Sequence, residues 1–169
     1  MSSSPRSAGV QGRHDADARH AIANQMFFRL YQCANMLHKT GTRAVQEQGL
    51  TTQRWAVLGA LTRTGADDGM SIGDLAKYLK VSRQSLSGII NHLEGEGLIS
   101  VAQDATDRRS RVLRLTPAGS ERWHAQALPE IHEFYDAAAA GLSLEDMSHA
   151  LHYLTRLIDN MVALDELDS

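Results

Sequence analysis

Residues Ser71–Gly119 read SIGDLAKYLKVSRQSLSGIINHLEGEGLISVAQDATDRRSRVLRLTPAG, and the fold can be worked out from this stretch. Ser71 precedes an apolar-periodic run with Asp74 three residues on. That is a capping-box-like start: the serine oxygen takes a backbone N–H, and the acid suits the positive end of a helix. Leu75 and Leu79 define one face, four residues apart. Val81 and Ser82 break the run, and Ser82 can cap a second helix in which Leu86, Ile89, Ile90 and Leu93 recur at helical spacing. Those four are expected to face a core. Arg83, Gln84, Ser87 and Asn91 are left on the other side as a polar stripe with little acid. Two short helices joined this tightly describe a helix-turn-helix. Its stripe suits a major groove, because arginine can pair bidentately with guanine, and glutamine or asparagine with adenine. On the helix alone, an ordinary solvated face is an equally good reading.

The next residues separate the two readings. Gly95 and Gly97 end the helix, and Leu98–Val101 and Arg111–Leu115 are short β-prone runs. The polar loop Gln103–Ser110 between them makes a hairpin, or wing, after the second helix. A guanidinium at such a tip has the size and charge to enter a minor groove, where the potential is most negative. Asp104 and Asp107 suit partners that hold Arg108 or Arg109 extended.

The run L93-E94-x-x-G97-L98-I99, with D104-x-x-D107-R108-R109-x-x-x-L113-x-L115-T116-x-x-G119 after it, resembles the signature of the MarR family of winged helix-turn-helix transcription regulators. L50-T51-x-x-x-W55-x-V57-L58 is similar to that family's second helix, and the likeness covers roughly residues 21–164. The resemblance implies a mainly α fold with a two- to three-stranded β-wing and dimerisation helices at both ends. It also implies a homodimer that binds a palindromic operator in double-stranded DNA and releases it when a small molecule binds. On this reading Ser82, Arg83, Gln84, Ser85, Ser87 and Asn91 touch the major groove or its phosphates. Arg109 enters the minor groove with Asp107 orienting it, and Arg108 is in reserve.

Composition sets outer bounds. A chain of 169 residues accommodates one domain, or one domain with helical extensions, and 43% hydrophobic content supports a core. The net charge of −3 is not that of a generally basic DNA binder, so its distribution decides. Lys77, Lys80, Arg83, Arg108, Arg109, Arg111 and Arg114 against four acids leave a local balance of +3 over residues 77–114, whereas residues 140–169 carry −5. Positive charge therefore gathers where a duplex-facing surface requires it. The single cysteine, Cys33, excludes an internal disulfide framework and fits a reducing cytoplasm. No apolar run approaches the roughly 20 residues that span a bilayer. The first residues lack the apolar middle of a signal peptide, so a cytoplasmic protein without membrane association is expected.

Along the chain, residues 1–18 are expected to be a disordered tail, 19–48 and 117–169 a helical dimerisation region, and 49–116 the winged helix-turn-helix. Ile22, Met26, Leu30, Cys33 and Leu37 stripe a long first helix; Gly41 within it permits a close helix crossing, and Gly49 stops it. Thr51 caps a helix through Leu61 with Trp55, Leu58 and Leu61 inward. Thr116 caps the next, with Pro117 at its first position and a kink or break expected at Pro129. Ser143 caps the last, Asp146 completes the capping box, and Leu142 staples onto Met147. The apolar stripes of the end helices are most economically buried against a second copy, which would place two recognition helices about 34–36 Å apart.

A regulator must sense something. In the family the effector pocket lies where the first helix, the second helix and the winged region meet. Here that junction offers Phe28, Tyr31, Gln32, Asn35, His38 and Lys39 from one helix and Arg54, Trp55 and Leu58 from the next. Aromatic walls with a few convergent polar groups typify small-molecule sites. Arg54 could clamp a carboxylate while Trp55 stacks on a flat ring; the alternative is Arg54 as a solvated helix residue and Trp55 as a core residue that still touches ligand. The FFRLYQxANxLHKxGT run resembles the first helix of regulators of aromatic-acid catabolism. The implied effector is a small aromatic carboxylate or its coenzyme A thioester, and the implied role is repression of an aromatic catabolic operon. No cofactor is expected.

Other chemistries fit less well. Cys33 sits on the apolar stripe without a resolving partner and reads as a buried structural thiol rather than a redox sensor. His149 and His152 are three apart, with His124 and His132 elsewhere, and they lack convincing metal-ligand spacing. There is no Gly-rich phosphate loop, nucleophile elbow or H-E-x-x-H, so an enzyme is not expected. A winged-helix protein-interaction module without operator binding is the alternative of a different class.

Overall fold

The computed structural model describes residues 6–63, 69–103 and 111–167, with side chains described from residue 15 onward. It divides into two compact units, Met1–Ile131 and His132–Ser169.

The first unit opens with α1 (Arg6–Val45). The helix thus includes residues 6–18 of the stretch expected to be a disordered tail. Residues 15–21, DADARHA, are exposed, yet alanine is the best helix former and extending a nucleated helix adds a hydrogen bond per residue. A 3-10 turn over Gln46–Gln48 and a left-handed Gly49 (φ 72°) end it, and Leu50 N–H donates to Val45 O at 3.1 Å. Thr51 then caps α2 (Thr52–Leu61), its hydroxyl oxygen accepting from Arg54 N–H. The crossing of α1 over α2 depends on Gly41: an added Cβ would stand 2.7 Å from Thr52 Cγ2 and 3.1 Å from the Trp55 ring.

Next come β1 (Met70–Ser71), α3 (Ile72–Leu79) and α4 (Arg83–Gly95). Ser71 and Ser82 cap the two helices as expected, accepting from Asp74 N–H and Ser85 N–H. β2 (Ile99–Gln103) and β3 (Arg111–Leu115) pair antiparallel from Ile99↔Leu115 to Gln103↔Arg111. β1 adds to the free edge of β3 through Met70↔Leu113, giving the sheet order β1-β3-β2.

The core collects one face from each element. Leu50, Leu58, Leu75, Leu86, Leu93, Ile99 and Leu113 are all fully buried, and each such side chain contributes about 1.5–3 kcal/mol relative to exposure. Of the four positions on α4 expected inward, Leu86, Ile90 and Leu93 are buried, while Ile89 lies at the core's edge.

Thr116 ties the wing to the next helix. Its hydroxyl donates to Gly97 O at 2.6 Å and accepts from Gly119 N–H at 3.0 Å, capping α5 (Pro117–Glu121) with Pro117 at its start. The break expected at Pro129 is a π-helical turn, Arg122–Ala127, just ahead of α6 (Leu128–Ala138). Proline lacks an N–H and its ring crowds the carbonyl four residues back, here Ala125, so a wider turn relieves both.

The second unit takes the end of α6 and then α7 (Leu144–Leu167). Ser143 and Asp146 form the full reciprocal capping box: Ser143 N–H and hydroxyl donate to Asp146 Oδ2 at 2.9 and 2.6 Å, and Asp146 N–H donates back at 3.1 Å. These bonds hold the Asp146 carboxyl below its ordinary pKa, the side-chain bond most and the backbone bond next. Leu142 stays 54% exposed and Met147 44%, so the expected staple covers little. Among the described residues no helix is long and apolar enough to cross a membrane.

Candidate functional site

α4 carries its polar stripe outward. Ser82, Arg83, Gln84, Ser85, Ser87 and Asn91 are all exposed, opposite the buried Leu86, Ile90 and Leu93. Their roles differ. Ser82 Oγ is occupied by the cap and lies 2.8 Å from Ser85 Oγ, so this pair first serves the helix start. Gln84, Ser87 and Asn91 are spaced three and four apart and form one row along the helix. Gly88 completes that row and is absent from the residues expected on it; an added Cβ there meets nothing within 4 Å. The signal was available, because a mid-helix glycine costs about 1 kcal/mol against alanine and invites a functional reason. At the far end, His92 Nε2 and Glu96 Oε1 stand 2.8 Å apart, joining the last turn of α4 to its cap.

Exposed basic side chains occur on α4 and on two other elements of the winged region. Lys77, Lys80, Arg83, Arg111 and Arg114 are exposed. Lys80 turns the chain between α3 and α4 in the left-handed conformation, φ 56°. The expected minor-groove residues Asp107, Arg108 and Arg109 lie outside the described residues, and Asp104 with them.

The expected sensing residues fall into separate places. Phe28, Tyr31, Asn35 and His38 recur on one exposed face of α1, with Lys39 beside them. His38 Nδ1 meets Thr52 Oγ1 at 2.6 Å, and Thr52 N–H donates to Thr42 Oγ1 at 3.2 Å, so this face reaches the start of α2. Thr52 was not foreseen. Trp55 is half-buried, packed against the core beneath Gly41. Leu58, expected to face inward and also to line the site, is 0% exposed and stands in the core. Arg54 turns away to the elbow, where its Nη1 donates to Gly49 O at 2.8 Å. Arg122, also unforeseen, donates to the neighbouring Gln48 O from the π-helical turn. An open recess of about 420 Å³ lies along α1, lined by Asn24, Gln25, Phe28, Arg29 and Gln32. Of the expected set only Phe28 and Gln32 belong to it; Arg29 Nη1 holds Gln32 Oε1 at 3.0 Å.

Cys33 is exposed in the single chain, contrary to the expectation of a buried thiol. His124 Nδ1 approaches Ser120 O at 2.9 Å, and His152 stands edge-on to Tyr153. Each is engaged on its own helix.

Likeness to known proteins centres on these same elements. The model of the MarR family matches residues 48–110, from the α1–α2 elbow to the threshold of β3. The chain is 54% identical over 151 residues to the transcriptional activatory protein BadR of Rhodopseudomonas palustris, covering 89% of this chain and 86% of that protein. It is 29% identical to the homoprotocatechuate degradative operon repressor of Escherichia coli, over 71% of this chain and 76% of that one. The crystal structure of the S. aureus MepR–DNA complex superposes with a TM-score of 0.70 at 22% identity, covering 79% of this chain and 96% of that one; the likeness is one of fold.

Proposed function

Given that the chain belongs to the MarR family of transcription regulators, we propose that it is a ligand-responsive, DNA-binding regulator of an aromatic-compound operon. It acts as a two-fold homodimer on a palindromic operator and answers to a small aromatic carboxylate or its coenzyme A thioester. The observation that carries the reading is the α4 stripe. Gln84, Ser87 and Asn91 stand exposed on a helix whose opposite face is locked into the core, and the same region carries five exposed basic side chains on α3, its C-cap, α4 and β3. That arrangement offers base-reading amides in a phosphate-attracting region.

The dimer is supported by what the single chain leaves bare. Ile22 is 68% and Leu151 67% exposed, along with most of the apolar stripes of α1 and α7. Stripes of that length are soluble when a second copy covers them. Two copies also supply the two half-sites of a palindrome.

The effector class is supported by the name of a relative. Homoprotocatechuate is an aromatic acid, and the repressor named for its degradation shares 29% of aligned residues with this chain. The α1–α2 crossing is the place for the effector, with Tyr31, Asn35, His38 and Trp55 on one side and Arg54 freed from Gly49 O to meet a carboxylate. Ligand and operator then oppose each other if the liganded dimer holds its two α4 helices at a spacing the duplex does not fit. The more similar relative is named as an activatory protein and the other as a repressor, so the repressor expectation rests on the more distant one. A promoter–reporter strain deleted for the chain separates them: reporter output rises for a repressor and falls for an activator.

The test of the whole reading is a binding titration on a duplex carrying the chain's own upstream promoter, at rising salt and with a panel of aromatic acids and their thioesters. Binding that weakens steeply with salt and responds to one member of the panel supports it. A protein-interaction module without operator binding would ignore the duplex even at low salt. In a parallel thermal-shift panel, Arg54→Ala abolishes the stabilisation that the active acid confers on the wild type; an equal shift in both proteins removes Arg54 from the site.

A further inference from the structure

Arg83 is the first residue of α4, yet its side chain runs back across the first turn of α3. An ideal Cβ added to Gly73 would lie 2.9 Å from Arg83 Nη2, 3.5 Å from Cζ and 3.6 Å from Nε. The guanidinium as a whole, not one terminal atom, therefore covers Gly73. The group is exposed, and among the described residues no hydrogen bond or ion pair engages it. Gly73 is the second residue of an α-helix, and alanine is the better helix former. Its φ is not positive, so backbone conformation does not demand a glycine there. What uses its missing side chain is the guanidinium resting on it.

In a helix-turn-helix the second helix enters the major groove while the first crosses the sugar–phosphate backbone. A guanidinium laid along the first helix is thereby placed beside phosphate oxygens and away from base edges. We propose that Arg83 is a phosphate contact that sets the register of α4 on the duplex, and that Gly73 is the positioning residue that lets it lie there. Base readout then falls to Gln84, Ser87 and Asn91. This assignment rests on the DNA-binding reading above.

The experiment is a salt series with full-length wild type, Arg83→Ala, Arg83→Lys, Gly73→Ala and the double variant. Each is titrated against the promoter duplex and against an unrelated duplex of equal length. Arg83→Ala should weaken both duplexes by the same factor and reduce the slope of log K against log salt by about one per copy, as loss of a phosphate contact does. Arg83→Lys should restore the slope. Gly73→Ala keeps every charge, and the methyl displaces only the far end of a flexible side chain, so its melting temperature should equal or exceed that of the wild type. It should nonetheless lose part of the affinity for both duplexes, with no further loss when added to Arg83→Ala. Two results overturn the proposal while leaving the DNA-binding reading intact. In one, Arg83→Ala relaxes preference at a single operator position with binding to the unrelated duplex unchanged. In the other, Gly73→Ala binds both duplexes as the wild type does. A wild type that ignores the promoter duplex overturns both readings together.

Discussion

Replacing Gly119 with alanine should be among the most damaging single-methyl additions in this chain, although it puts the best helix former into a helix. An added Cβ would sit 1.8 Å from Leu98 O and 2.8 Å from Leu98 C, a contact with backbone that no side-chain rotation relieves. The two strands of chain must part, and two bonds hold them together there. Thr116 N–H donates to Leu98 O at 3.1 Å and the Thr116 hydroxyl to Gly97 O at 2.6 Å. Each is worth about 1 kcal/mol net, and overpacking adds about 1–3 kcal/mol, against about 1 kcal/mol regained from helix propensity. The balance is a destabilisation of about 2–4 kcal/mol, or a melting temperature lower by roughly 5–15 °C for a chain of this size. The matched control is Gly88→Ala, whose Cβ meets nothing within 4 Å. There the propensity term acts alone and stability rises by up to about 1 kcal/mol. Thermal melts of the three proteins at one fixed concentration read both signs, fixed because association raises melting temperature by mass action. Gly119→Ala melting at or above the wild type refutes the claim that this glycine is set by its approach to Leu98.

Other substitutions address the site and the second unit. Gly88→Ala, despite its added stability, should weaken promoter binding, because the methyl stands on the row that α4 offers to a groove; unchanged affinity in a titration removes Gly88 from that surface. Gln84→Ala should cost about 1–3 kcal/mol on the promoter duplex and relax preference at one base pair, read by competition with single-base variants. Lys80→Gly replaces a non-glycine residue at φ 56°, a conformation that costs L-residues about 1–2 kcal/mol. It should raise the melting temperature while lowering affinity for unrelated DNA, since one exposed cation goes. Asp146 has its pKa lowered by Ser143, so its contribution is present above the unfolded carboxylate value and is lost as pH falls through the lowered one. The melting-temperature gap between wild type and Asp146→Asn should therefore be open at pH 7 and close on acidification; a gap that is constant with pH contradicts the capping role.

Much of the fold was legible in residue order because the signals were local. Ser71, Ser82, Thr116 and Ser143 each announced a helix start, and each accepts from the backbone N–H three residues on. Capping chemistry is decided within one turn, so sequence spacing suffices to read it. The alternation that made Leu86, Ile90 and Leu93 core and Gln84, Ser87 and Asn91 surface is likewise a property of 3.6 residues per turn. Periodicity says which side a residue faces, however, and not what stands opposite. Arg54 and Trp55 are neighbours on α2, yet Trp55 packs against the core while Arg54 turns to Gly49 O. Arg122 reaches Gln48 O across 74 positions, and Arg83 found its bed on Gly73 of another helix. Helix starts, faces and the charge asymmetry were thus determined by the chain alone. The closeness of Gly119 to Leu98, the occupation of Arg54 by Gly49 O and the resting place of Arg83 were decided in three dimensions, because each depends on distances between elements that no local spacing encodes.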